Sequence, residues 1–114
     1  MNTKLIYVTA PSLTDAEQIA ETVVNEKLAA CANFFDGVHS IFEWNGQLCR
    51  EDEAVLILKA TADRVAELTD RIKQLHTYDC PCIVVLPIEG GNPEFLNWVE
   101  ASTRSHNPEV STSH

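Results

Sequence analysis

Residues 76–82 read His-Thr-Tyr-Asp-Cys-Pro-Cys, which places an imidazole, a phenol, a carboxylate and two thiols within seven positions. Imidazole nitrogens and thiolates are the side-chain donors that bind soft and borderline metal ions, and Pro81 keeps the peptide between the two sulfurs extended. The segment lies between a predicted amphipathic helix and a predicted apolar strand. It is the first place to look for a chemical site.

His76 and Asp79 each have a structural interpretation beside the chemical one. His76 stands at the end of the predicted helix, where an imidazolium interacts favourably with the helix dipole, so a capping role competes with a metal-ligand role. Asp79 either accepts hydrogen bonds from turn amides or completes a ligand set. Tyr78 is interpreted as a packed ring whose hydroxyl has a hydrogen-bond partner.

Cys80 and Cys82 are separated by one residue at the start of a predicted strand. We interpret the two residues as alternating across the start of the strand, and we expect the two thiols to point to opposite faces. That orientation disfavours a single ion held by both sulfurs within one subunit. A redox role is ranked lower, because redox cysteine pairs more often have two intervening residues.

Composition excludes several classes of function. The 114 residues suit one domain, and 8 basic against 17 acidic side chains give a net charge of −9. Without a basic face to neutralise phosphates, nucleic acid is not an expected partner. Apolar runs are too short for a signal peptide or a membrane span, so we expect a soluble, cytoplasmic protein that does not insert into membranes. The four cysteines, at 31, 49, 80 and 82, are expected to be reduced thiols.

The pattern of apolar residues and turn signals predicts seven elements. In chain order these are a strand over residues 4–9, a helix from Thr14 with Glu17 as its capping box, a hairpin of strands 32–44 and 47–60 around Asn45-Gly46, a helix capped by Thr61, a strand over residues 82–86 and a helix from Pro93.

The order βαββαβ plus a C-terminal helix predicts an α+β protein with a ferredoxin-like split βαβ sandwich. Both crossover helices then lie on one face of the sheet and leave the opposite face bare. Residues 1–105 form the single domain. Residues 106–114, which include His106 and His114, are polar without periodicity and are predicted to be a flexible tail.

The predicted hairpin is too long for the domain that carries it. Fourteen residues at about 3.3 Å each span about 46 Å, whereas a globule of this length has a diameter of about 35 Å. An overhanging hairpin and a bare apolar face both favour association with further copies of the chain in a closed ring. The alternative is a bulge near residues 50–53 that blunts the edge with charge.

Six segments resemble the CutA family of divalent-cation tolerance proteins. They are LAACAN at 28–33, SIFEWNG at 40–46, EDE at 51–53, LKAT at 58–61, HTY at 76–78, and LP at 86–87 through NP at 92–93. The resemblance implies a ferredoxin-like fold and a tight homotrimer related in shape to the PII signalling proteins. It also implies a cytoplasmic location, a link to copper or another divalent cation that is not an obligatory cofactor, and no established enzymatic activity.

The same resemblance implies where ligands bind. The family's His-Pro-Tyr motif followed by an acid or amide is kept here except that Thr77 replaces the proline. Two positions treated as copper ligands in some members are Val8 and Leu75 in this chain, so only His76 of that set is present. Cys80 and Cys82 either supply replacement thiolates or are unrelated to the site. The predicted metal residues are His76, Asp79 and Cys80.

Three further residues match positions that line a cleft between subunits in the family, namely Trp44, Lys59 and Tyr78. Lys59 ends an apolar strand, where its ammonium either reaches water or meets an anion at a subunit boundary. Trp44 and Tyr78 are equally well explained as interface packing.

Two function hypotheses follow. The first is a homotrimeric tolerance protein that binds copper or another divalent cation, and the second is a PII-like sensor that binds a small anion or metabolite in the intersubunit cleft. The loop after the first strand, residues 9–12, has neither the cysteines of a copper chaperone nor the arginine of an acylphosphatase, so both classes are excluded. A role in docking a still unknown protein partner stays open.

Overall fold

The computed structural model describes residues 2–103, which form four strands and three α-helices. The elements are β1 (Thr3–Ala10), α1 (Leu13–Asn25), β2 (Cys31–Trp44), β3 (Gln47–Thr61), α2 (Val65–Leu75), β4 (Ile83–Pro87) and α3 (Pro93–Thr103). Each of the helices in this range is too short or too polar to cross a bilayer. The predicted tail, residues 106–114, and the predicted domain boundary at 105 lie outside the described residues and stay predictions.

The four strands form one antiparallel sheet in the order β2-β3-β1-β4. Two βα units whose strands interleave in this way make the predicted ferredoxin-like α+β fold, which is confirmed. β1 and β3 are the central strands, and β2 and β4 form the edges. The nearly continuous burial of β3 from Ala54 to Leu58 reflects this central position.

The main core lies between one face of the sheet and the helices α1 and α2. Alternate residues of the central strands point towards the helices, and the register pairs Ile6 with Leu58 and Val8 with Leu56. The helices complete this core with buried residues at spacings of three and four, namely Ala16, Ile19, Ala20, Val23, Leu68 and Ile72. Complete burial of a side chain such as Leu56 stabilises the fold by about 1.5–3 kcal/mol.

The predicted caps of the first two helices are wrong, whereas Asn92 caps α3 as predicted, with its side-chain oxygen accepting from the Glu94 backbone N at 3.1 Å. α1 is capped by Ser12, whose hydroxyl accepts from the Asp15 backbone N at 3.2 Å and donates to the Asp15 carboxylate at 2.7 Å, so Thr14 lies inside the helix. Thr61 makes no side-chain cap, because it still belongs to β3 and a 3-10 turn (Ala62–Arg64) precedes α2. The backbone of Thr61 is extended, as a cap requires, but its hydroxyl lies against the hydroxyl of Thr103 instead of a helix amide.

The second sheet face is bare only in part. Thr61 points to this face, and its hydroxyl lies 3.1 Å from the hydroxyl of Thr103 at the end of α3. α3 buries Leu96 and Val99 as well, so the third helix covers one end of the face. The rest of the face exposes three large apolar side chains, namely Phe35, Val84 and Leu86.

The distal half of the hairpin extends beyond the body of the protein, as predicted. β3 pairs with β1 only from Ala54 to Thr61, and earlier residues of β3 pair with β2. We call residues 38–53 the arm. The molecule measures 54 × 27 × 21 Å in consequence.

The details of the hairpin decide against the alternative and confirm the predicted turn. The register shift lies between Phe35 and Val38, where Gly37 has a φ of 83°, so the bulge is not at residues 50–53, where the alternative placed it. A bulge needs backbone freedom more than charge, and Gly37 supplies it. Asn45 and Gly46 have φ values of 52° and 77°, as the predicted two-residue turn requires.

Candidate functional site

The end of α2 places His76 against the sheet. The backbone of His76 adopts an extended conformation, which ends the helix, and its N–H donates to the Ile72 carbonyl at 2.8 Å. The side chain is buried and turns towards β1 instead of back onto the last carbonyls of α2. The helix end and the first strand are thereby connected through one imidazole.

Both ring nitrogens of His76 have protein partners. Nε2 lies 2.7 Å from the Thr9 carbonyl oxygen, and Nδ1 lies 3.1 Å from the Tyr78 backbone N. Because a carbonyl oxygen only accepts, Nε2 carries the proton, and because a backbone N–H only donates, Nδ1 is the acceptor. These contacts select one neutral tautomer, with its lone pair directed at the start of the loop.

Tyr78 extends the polar cluster that His76 and the Thr9 carbonyl begin towards β3. Its hydroxyl donates to the Glu53 carboxylate at 2.9 Å, and its ring packs on His76 with centroids 4.7 Å apart. Burial of the phenol, followed by the hydrogen bond with Glu53 and the negative charges of Glu53, Glu51 and Asp15, raises the pKa of Tyr78 to about 12. The phenol is therefore a hydrogen-bond donor throughout the physiological pH range.

The loop that follows exposes its other chemical groups. Asp79, Cys80 and Cys82 are exposed, and both thiols are free. β4 begins at Ile83 instead of Cys82, so neither cysteine lies in a strand. Within residues 2–103 of one chain, no three His, Cys, Asp or Glu side chains are grouped closely enough to hold a metal ion. The assignment of His76, Asp79 and Cys80 as metal residues stays a prediction.

The three predicted cleft residues lie far apart in one chain. Tyr78 contacts Glu53, whereas Trp44 pairs with Gln47, which is six positions, or about 20 Å, along β3 from Glu53. Lys59 is six positions away in the other direction, and its ammonium donates to the side-chain carbonyl of Asn33. A cleft that contains all three residues therefore requires more than one copy of the chain, and it stays a prediction.

Two members of the cluster were not predicted as site residues. Glu53 is a buried carboxylate, and its position two residues before Val55 on the same face of β3 was the available signal. Thr9 takes part through its backbone carbonyl, for which the sequence contains no signal. The cluster therefore joins residues of β1, β3 and the loop after α2.

Comparisons with known proteins agree on one family. The model of the CutA1 divalent ion tolerance protein family matches residues 4–102. The divalent-cation tolerance protein CutA of Archaeoglobus fulgidus is 44% identical over 95 residues, which cover 83% of this chain and 92% of the relative. The CutA of Thermus thermophilus is 40% identical over 100 residues, with 88% and 97% covered. A chloroplastic CutA protein of Arabidopsis thaliana is 38% identical over 101 residues, with 89% of this chain but 56% of the relative covered.

Solved structures agree with the sequence matches. The structure of CutA1 from Oryza sativa superimposes with a TM-score of 0.89 at 36% identity and covers 93% of this chain and 97% of that one. The structure of the protein described as the periplasmic divalent cation tolerance protein CutA from Archaeoglobus fulgidus has a TM-score of 0.86 at 41% identity, with 90% and 99% covered. The similarity extends over almost the entire described fold.

Proposed function

The chain belongs to the CutA1 divalent ion tolerance family, and from that premise we propose that it is a homotrimer that binds copper or another divalent cation at the loop following α2. The role in metal-ion tolerance comes with the family. The relatives are named for tolerance and not for a reaction, and we propose no catalytic activity.

The observation that supports a metal site is the hydrogen bonding of His76. Metal-binding histidines commonly donate their second N–H to a carbonyl or carboxylate, which fixes the ring and directs the other nitrogen at the ion. In this chain the Nε2 proton is held by the Thr9 carbonyl at 2.7 Å, so Nδ1 is the nitrogen available as a ligand. Nδ1 now accepts from the Tyr78 N–H at 3.1 Å, so an ion would have to displace that amide.

Asp79 and Cys80 are the other two proposed donors. Both are exposed on the loop that begins at His76, so neither has to leave a buried partner to reach an ion. An imidazole, a carboxylate and a thiolate form a mixed donor set of the kind that suits copper and zinc better than magnesium or calcium. We propose that no bound ion is obligatory for folding.

The trimer is supported by the apolar surface of the single chain. The arm exposes Ile41, Phe42, Trp44 and Leu48, and the uncovered part of the second sheet face exposes Phe35, Val84 and Leu86. Contiguous apolar patches of this kind mark protein interfaces. The predicted cytoplasmic location stays a proposal, since one relative is named as chloroplastic and another is described as periplasmic.

Titration with Cu²⁺ and Zn²⁺ tests the metal site. We expect Asp79→Asn and Cys80→Ser each to weaken binding by about tenfold or more, a loss of about 1.4 kcal/mol. His76→Ala should weaken it further, and circular dichroism checks that this buried position still folds. His39→Ala is the matched control, because His39 is an exposed histidine on the arm. Unchanged affinity in the Asp79→Asn/Cys80→Ser double variant would exclude the loop as the site.

The hydrogen bond of Lys59 is the observation that favours the second candidate function. The ammonium of this half-buried residue bonds the neutral side chain of Asn33, so its charge is available to an anion in the proposed intersubunit cleft. A PII-like sensor would show a thermal shift with a nucleotide or an organic acid, and the shift would disappear in Lys59→Ala. Lys73→Ala, on the exposed side of α2, is the control. A shift that survives in Lys59→Ala removes this candidate.

A further inference from the structure

The loop of residues 77–82 is fixed at both ends to neighbouring positions of one strand. At its start, the ring of His76 bonds the carbonyl of Thr9, and at its end Ile83 pairs with Val8. Between these anchors Tyr78 is held by Glu53. The two ends of the six-residue loop therefore lie beside adjacent residues of β1. This anchoring restricts the conformations that the loop can adopt.

This loop presents two free, exposed thiols that the divalent site does not fully use. Cys80 and Cys82 are the exposed cysteines, while Cys31 and Cys49 are half-buried in β2 and β3. The opposed orientation expected of the pair is wrong, because residues two apart in a strand point to the same face. β4 begins at Ile83, so strand geometry does not separate the thiols of Cys80 and Cys82 in any case.

The spacing of the two cysteines suits a bridging ion better than a disulfide. Their Cα atoms, two residues apart, are separated by at most about 7 Å. A disulfide requires its sulfurs to approach to about 2 Å, which Pro81 opposes by keeping the peptide between them extended. Two thiolates that share an ion at about 2.3 Å each lie up to about 4.6 Å apart, a much smaller demand on the backbone.

We propose that Cys80 and Cys82 form a two-thiolate site for a soft monovalent ion, with Cu(I) as the physiological candidate. Thiolates suit soft ions such as Cu(I), and two sulfur donors suffice for Cu(I), whereas Zn²⁺ takes four ligands. Each ion displaces the two thiol protons, which are released to solvent, and no electron is transferred. This site goes beyond the proposed divalent function, because it shares Cys80 with that site but requires neither His76 nor Asp79 as a ligand.

Anaerobic titration of the reduced protein with Cu(I), in competition with the chromogenic chelator bicinchoninate, tests the proposal. Ag(I) serves as a second probe that has no accessible redox change. We expect one ion per chain with ultraviolet thiolate-to-metal absorption, kept in the control Cys31→Ser/Cys49→Ser. In Cys80→Ser/Cys82→Ser the affinity should fall by about 100-fold or more, since both soft donors are lost. Both cysteines are exposed, so the double variant should fold normally.

The outcomes separate this site from the divalent one. Full Cu(I) affinity in Cys80→Ser/Cys82→Ser, or loss of affinity in Cys31→Ser/Cys49→Ser, overturns the thiolate site even where divalent ions bind through His76 and Asp79. Conversely, Cu(I) binding that is lost in Cys82→Ser but kept in Asp79→Asn supports the thiolate site. That result stands even if titration with Cu²⁺ and Zn²⁺ fails.

Discussion

The two halves of the β2–β3 hairpin both carry large apolar side chains but lie in different environments. In the body, Leu56 and Leu58 of β3 are 0% exposed, because β1 pairs beside them and the helices cover them. In the arm, Leu48 of the same strand is 65% exposed and Ile41 of β2 is 61% exposed. Within residues 2–103, the two strands of the arm pair only with each other.

The difference shows that strand propensity and burial are separate properties. The arm keeps its ladder because backbone hydrogen bonds between β2 and β3 need no third strand. An isolated two-stranded hairpin is marginally stable in water, however, and its apolar side chains gain nothing until another surface covers them. The body is therefore expected to provide the stability of the chain, and the arm the affinity between chains.

Leucine truncation in each region tests this division most strongly. Leu56→Ala should lower the free energy of unfolding by about 2–5 kcal/mol at every protein concentration, because it leaves a cavity in the body. Leu48→Ala should change the part of the free energy of unfolding that does not depend on protein concentration by less than about 0.5 kcal/mol. Urea unfolding at several protein concentrations separates the two contributions. Equal losses for both variants at every concentration would contradict the division.

Trp44 provides the next largest effect, on association. We expect Trp44→Ala to raise the dissociation constant of the assembly by about tenfold or more, because large aromatic anchors contribute most to interfaces. Sedimentation velocity over a dilution series measures it. Leu13→Ala is the control, because Leu13 is also an exposed apolar residue but lies on α1. Unchanged sedimentation in Trp44→Ala would remove the arm from the interface.

The fold could be predicted from the sequence because its signals are local. Alternating and helical periodicities and the Asn45-Gly46 turn gave the strands, the helices and their order. The caps of α1 and α2 and the position of the bulge could not be predicted, since they depend on backbone angles and hydroxyl partners at single residues. Ser12 and Thr14 are both competent to cap α1, and only the extended backbone at Ser12 decides between them.

The site was predictable only where it is continuous in sequence. His76 and Tyr78 stand out by their spacing, but their partners Thr9 and Glu53 are 67 and 25 residues away. Those partners are set by the register of β1 and β3, which the sequence does not show. Contacts that Trp44 and Lys59 make with further copies of the chain are even harder to predict from the sequence. They depend on how two surfaces fit together and not on a contact within the chain.

Tyr78→Phe tests the polar contact between the body and the base of the arm and should cost about 1 kcal/mol, because the buried carboxylate of Glu53 loses its phenol donor. The pKa of Tyr78 rises from 10.0 to about 12 on folding. The neutral phenol therefore stabilises the fold fully below the unfolded value, and this contribution is lost as the pH rises through about 12. The difference between wild type and Tyr78→Phe should shrink accordingly.

Denaturant unfolding between about pH 8 and about pH 11 measures how the difference in the free energy of unfolding between wild type and Tyr78→Phe changes with pH. Tyr7→Phe is the matched control, because it removes a hydroxyl from β1 while leaving the contact between Tyr78 and Glu53 in place. Parallel stability curves for wild type and Tyr78→Phe would show that the phenol of Tyr78 titrates alike in the folded and unfolded chain.

The smallest expected effect concerns the polar pair of the arm. His39 Nδ1 lies 2.8 Å from the Asp52 carboxylate, almost the separation of Tyr78 and Glu53, but the two side chains are 82% and 86% exposed. Water screens such a pair, so His39→Gln should change the free energy of unfolding by less than about 0.5 kcal/mol at low and at high salt. Urea unfolding at two salt concentrations measures it. A loss above about 1 kcal/mol would mean that this face of the arm is covered in the assembly, because only exclusion of water makes one ion pair that valuable. The arm would then resemble the body in excluding water from its polar pairs.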